Sequence, residues 1–114
     1  MKYLFILLVF PFLSASDCSK KKDAMPTCLA EMITERTKEI PPSPPEQIDE
    51  YLYNDKTVYL VTAPCCDQFD VVYDENCKEI CSPSGGITGK GDGKCEDFFK
   101  TAKQIKVLWK KEKK

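Results

Sequence analysis

The spacing of apolar residues changes several times along this chain, and each change marks an element. From Tyr3 to Leu13 the run is apolar, broken only by Pro11. Further on, Cys28, Leu29, Met32 and Ile33 recur at helical spacing, with Pro26 at a first-turn position. That pattern predicts one amphipathic helix over residues 26–39. "PPSPP" (41–45) cannot continue a helix and reads as a stiff connector in preference to a ligand for an aromatic groove. Beyond it the period falls to two. "QIDEYLY" (47–53) and "TVYLVT" (57–62), rich in aromatic and β-branched residues, flank a turn at "NDK" (54–56) and predict a hairpin. "QFDVVY" (68–73) and "KEIC" (78–81), joined through "DENC", predict a second hairpin. "KQIKVLW" (103–109) carries two periods. As a strand it sets Ile105, Val107 and Trp109 on one face, with Leu108 out of pattern; as a helix it aligns Phe98, Ala102, Ile105 and Trp109. The strand is the expected form and the helix the alternative.

These elements predict an α+β domain: a small antiparallel sheet with one N-terminal helix. The organisation expected is a signal peptide at 1–17, a polar tether at 18–25, a single domain at 26–109 and a basic tail at 110–114. The leader reading rests on Lys2, the short apolar run and the small residues Ser14-Ala15-Ser16. That run is shorter than the roughly 20 residues a transmembrane helix needs. Two processing routes compete. Cleavage after Ser16 releases a chain beginning at Asp17; lipidation at Cys18 makes that cysteine the first residue, with "SKKKDA" as tether. Asp17 fits a lipidation signal poorly, but cysteine parity favours it. The chain has seven cysteines, and assigning Cys18 to lipid leaves an even set: Cys28, Cys65, Cys66, Cys77, Cys81 and Cys95. These six are the disulfide candidates.

An exported chain this small buries a modest core and gains from cross-links. Cys81 and Cys95 bracket "SPSGGITGKGDGK", a segment with one apolar residue, Ile87, and all five glycines of the chain. Pairing those two cysteines removes roughly 3 kcal/mol of loop entropy from the unfolded chain. The adjacent Cys65 and Cys66 are expected to face opposite ways on extended backbone and to find different partners, with a vicinal disulfide between them as the alternative.

Several chemistries fall to spacing. Zinc sites use Cys-x2–4-Cys knuckles, whereas here two cysteines are adjacent and histidine is absent. No Cys-x-x-Cys redox motif is present. "GGITGKGDGK" lacks the Lys-Ser/Thr ending of a phosphate loop. Asp67, Asp70, Asp74, Glu75 and Asp92 offer hard oxygens, but not at calcium-loop spacing, and read as turn formers. No catalytic residue, metal or cofactor is therefore expected. Charge adds little: 17 Lys plus Arg against 18 Asp plus Glu give −1, which points away from nucleic acid. Lys20-Lys21-Lys22 and "KKEKK" (110–114) read as solvated ends, able to rest on anionic headgroups if the chain is anchored.

Taken in order, "PTCLAEMI" (26–33), "YLYNDKTVYLV" (51–61), "VYDENC" (72–77), "GGITG" (85–89) and "IKVLW" (105–109) resemble a family of small bacterial envelope proteins known only as a domain of unknown function. The resemblance covers residues 26–109, implies a lipoprotein-type leader, and supplies no reaction, substrate or catalytic residue. The expected role is an exported cell-envelope module, periplasmic, secreted or membrane-anchored, that binds or scaffolds an unidentified protein or envelope component without catalysis. The alternative is a small inhibitor-like protein presenting the 82–94 loop to a partner. An enzyme ranks third.

Overall fold

The computed structural model describes residues 25–113. The expected signal peptide, Cys18 and the tether through Ala24 lie outside the described residues. What is described is one helix against a five-stranded antiparallel sheet, so the domain is α+β. The elements are α1 (Thr27–Thr37), β1 (Gln47–Tyr53), β2 (Lys56–Thr62), β3 (Phe69–Tyr73), β4 (Glu79–Gly85), the single turn α2 (Phe98–Thr101) and β5 (Lys103–Lys110). The strand order is β4-β3-β2-β1-β5.

Strands β1 to β4 form a meander. Asn54 and Asp55 both have positive φ, 52° and 62°, which suits a tight two-residue hairpin turn and the side chains of Asn and Asp. Lys56, expected in the turn, therefore starts β2 and pairs with Tyr53. After β4 the chain returns across the sheet to place β5 beside β1. That return buries Cys95 and Phe98 on Val58, Leu60 and Val72. On the opposite face, Leu29 of α1 packs with Ile48, Tyr59, Val61 and Tyr73. Strand β2 is thus covered on both sides, and Val58, Tyr59, Leu60 and Val61 are all buried. Its unbroken apolar run reflects two cores.

Several expectations need correction. Pro26 caps α1 from the residue before it, and the helix stops at Thr37, short of residue 39. The connector also packs: Pro44 and Pro45 are buried, and Ser43 donates its N–H to the Arg36 carbonyl at 2.9 Å. Strand β4 runs four residues past Cys81, through Pro83, which an edge strand tolerates because one of its sides needs no ladder donor.

The C-terminal segment is a strand, but its faces differ from simple alternation. Trp109 lies opposite Ile48 and Val107 opposite Asp49, so Leu108 is the extra residue of a β-bulge. Leu108 and Trp109 both join the α1-side core, leaving Ile105 and Val107 half exposed. The helical alternative holds over its first turn only, where Phe98 and Ala102 pack on the same cluster.

The six described cysteines form three pairs at disulfide distance. Cys28–Cys77 ties α1 to the β3–β4 turn across 49 residues, with Cα atoms 6.2 Å apart. Cys81–Cys95 closes the return segment, with Cα atoms 6.0 Å apart. Cys65 pairs with its neighbour Cys66, against the expectation of separate partners. Cys66 has φ +81°, so the backbone turns here and strand alternation does not apply.

Phe98 is fully buried, with ring centroids 4.9 Å from Tyr51 and 5.0 Å from Tyr53. Phe98→Ala should destabilise by about 3–5 kcal/mol, the cost of an aromatic cavity. Val107→Ala, on a half-exposed side chain, should cost under about 1 kcal/mol. Urea unfolding of both variants checks this, and equal midpoints would contradict the role given to the return segment.

Candidate functional site: the pinned glycine-rich loop

The segment between Cys81 and Cys95 has almost no core of its own, so its order comes from the disulfide and from backbone hydrogen bonds. Gly86 donates to the Gln68 carbonyl at 3.0 Å, Gly91 to Gly85 at 3.0 Å, and Asp92 to Ser82 at 2.9 Å. A bridge between Gly85 and Lys90 closes the tip. All five glycines have positive φ, the conformation that glycine, lacking a Cβ, adopts without steric cost. Three of them are also pressed by neighbours, Gly86 by the Phe69 ring and the other two by backbone. A Cβ on Gly85 would strike the Gln68 carbonyl oxygen, and one on Gly91 the Ser82 carbonyl oxygen.

Acidic side chains hold the surrounding turns. Asp70 accepts the Ala63 N–H on Oδ1 and the Ser84 hydroxyl on Oδ2, both at 2.8 Å, joining the Cys65–Cys66 turn to β4. Asp74 Oδ1 accepts the N–H groups of Asn76 and Lys78. Asp92 Oδ1 accepts the Lys94 N–H at 2.9 Å, and that bond, first among its causes, holds the carboxyl below its ordinary pKa. Asp67 and Glu75 are exposed. The residues weighed for calcium are thus spread over separate turns. Among the described residues no three His, Cys, Asp or Glu side chains gather as a metal site requires.

The loop exposes apolar surface. Ile87, at its tip, is 91% exposed. Phe69, at the start of β3, lies against Gly86 and is half exposed. Between them is a hollow of about 320 Å³ lined by Asp67, Phe69, Gly86, Ile87, Thr88 and Gly91. The Cys65–Cys66 turn borders it, with Gln68 donating to the Cys65 carbonyl. In the sequence Phe69 was visible only as a strand residue, and Asp70 as a strand residue and a turn-forming acid. Their roles depend on β4 running on to Gly85, which the short "KEIC" reading omitted.

Such an arrangement offers shape and not reactive groups. It holds an apolar side chain in water on backbone that cannot collapse around it.

Residues 34–111 match the family described as a domain of unknown function (DUF6970). The chain belongs to that family. The match runs from within α1 to just past β5, so the DUF6970 domain takes in the whole sheet and the loop. It begins after "PTCLAEMI", leaving Cys28 and Leu29 outside the matched segment although both pack on or cross-link the domain. No curated protein and no solved structure matches the chain.

Gly85→Ala and Gly91→Ala should each cost more than about 1 kcal/mol, since strain and collision act together. Gly89→Ala, with open space around it, should cost less than either, and Lys90→Ala should change little. Thermal melts rank the four. A Lys90 variant melting below the Gly85 and Gly91 variants would show that charge contacts, not backbone geometry, hold the loop.

Proposed function

We propose that this DUF6970 protein is an exported module of the bacterial cell envelope that binds a partner without catalysis. Its contact is the 82–94 loop. The observation that carries the reading is Ile87, an apolar side chain almost wholly in solvent on a loop closed by Cys81–Cys95. Exposing an isoleucine gives no folding benefit, whereas burying it against a partner removes it from water at about 25 cal/mol per Å². Fixing the loop beforehand lowers the ordering cost that binding otherwise meets.

Export is supported by the leader pattern and by three cysteine pairs, which persist in oxidising compartments. Cys18 is the seventh cysteine and the proposed lipid attachment point. An anchor there places the Lys20-Lys21-Lys22 run beside anionic headgroups, at about 1 kcal/mol per charge. The partner is a protein or envelope component with an apolar pocket for Ile87. This is how an inhibitor-like loop works, and the structural reading favours that form of the binding role.

Two measurements test the proposal in the exporting cell. A photo-crosslinking residue at Ile87 should give a discrete adduct, and one at Asp55, in the hairpin turn at the opposite end of the sheet, should give none. Equal adducts at both positions, or none at Ile87, would overturn the loop assignment. Intact mass should show Cys18 carrying lipid; a chain beginning at Asp17 would replace the anchor with release.

A further inference from the structure

A second concavity lies on the α1 face of the sheet and shares Phe69 with the hollow beside the loop. Its walls are the last turn of α1, the connector and the far ends of β2 and β3. It encloses about 330 Å³, at the small end of ligand pockets. Val61, Ala63, Val71 and Phe69 supply apolar lining, while Arg36, Ser43, Gln68 and Tyr73 supply polar groups.

Arg36 is the cation in this lining. It is half buried at the end of α1, and the guanidinium donates to the Tyr73 hydroxyl. A guanidinium has five N–H donors in a planar fork, and one phenol oxygen satisfies few of them. Tyr73 is buried, and burial is the first cause of its raised pKa, ahead of the charge of Glu79. It therefore stays a neutral phenol, able to donate its O–H to a ligand in the cleft it lines. Ser43 donates its hydroxyl to the Glu39 carboxylate, which occupies that acid at the outer wall.

The walls are also fixed. The Arg36 carbonyl accepts the N–H of Glu39 at 3.3 Å and of Ser43 at 2.9 Å, and Pro44 and Pro45 are buried behind them. Cys28–Cys77 secures α1 to the turn that follows Tyr73. The cleft therefore has a set shape, a forked cation at one end and an apolar floor.

We propose that this cleft binds a small organic carboxylate, its acid group on Arg36 and Tyr73 and its apolar body on Val61 and Val71. The charge on Arg36 selects the acid, and the planar fork matches a carboxylate with two parallel bonds. This inference does not depend on the loop contact, whose test reads Ile87.

Isothermal titration of the native protein with 4-phenylbutyrate, 4-phenylbutanol and 4-phenylbutylamine tests it. The acid should bind saturably at one per chain, the alcohol about tenfold or more weaker, as loss of a charge-assisted hydrogen bond implies, and the amine not at all. Arg36→Gln should reduce the acid to the level of the alcohol, and Arg36→Lys should retain part of the affinity. Its melting curve shows whether Arg36→Gln is folded; if it is not, the comparison of the three compounds on the native chain decides. Acetyl-diglycyl-phenylalanine as free acid separates the two sources of such a group. Tighter binding than phenylbutyrate assigns the carboxylate to a peptide C-terminus, and weaker binding assigns it to a free small acid. Equal binding of acid and alcohol, or an acid affinity unchanged in folded Arg36→Gln, overturns the proposal.

Discussion

Strand β5 pairs with β1, while β4 ends at the far edge of the sheet, so the chain must cross the sheet's full width between Gly85 and Lys103. That crossing segment is the cover for one whole face. It contains few apolar residues, and two carry the load: Cys95 and Phe98 are the members that reach the core of Val58, Leu60 and Val72. A polar, glycine-rich strap can serve as a lid only if it is held down at points. The cross-link at Cys81–Cys95 is one point and the aromatic contact of Phe98 with Tyr51 and Tyr53 is the other. Between Cys81 and Cys95 the backbone settles its own hydrogen bonds, and the tip is left standing in solvent.

The opposite face is closed differently. α1 lies over it with a single fully buried residue, Leu29, assisted by Met25, Met32 and Ile33. Eleven residues make a marginal helix in isolation, so its stability derives from packing and from Cys28–Cys77. Because α1 ends at Thr37, the lower part of β3 is not roofed by helix. The connector turns back along the gap and leaves the cleft beside Arg36. The loop hollow and the Arg36 cleft thus have a common origin: neither cover is long enough to seal its face.

How much of this the sequence disclosed follows from the range of each signal. Period-two patterns are local, and β1, β2 and β3 stand within a residue of where alternation puts them. The pairing of Cys81 with Cys95 was readable because a polar segment between two cysteines needs a tether. Three features were hidden, two because they depend on contacts distant in the chain and one because it depends on a backbone conformation that no pattern marks. The bulge at Leu108 depends on which strand lies beside β5. The burial of Pro44 and Pro45 depends on α1 turning the connector inward. The Cys65–Cys66 pair depends on a positive φ at Cys66, which cysteine rarely adopts and no periodicity announces.

The candidate contact was half legible for the same reason. An isoleucine among glycines is conspicuous in sequence, but its meaning depends on whether the loop is ordered. A mobile loop would fold Ile87 back on Phe69, trading solvent for a local contact. The described loop prevents this. A Cβ at Gly85 or Gly91 would meet the carbonyls of Gln68 and Ser82, so these positions take glycine, and the bond from Gly86 to Gln68 ties the loop to the residue before Phe69. Ile87 is left exposed by the geometry of residues that are not themselves apolar. A partner that covers it meets surface already arranged, which is the physical condition under which a small interface binds tightly.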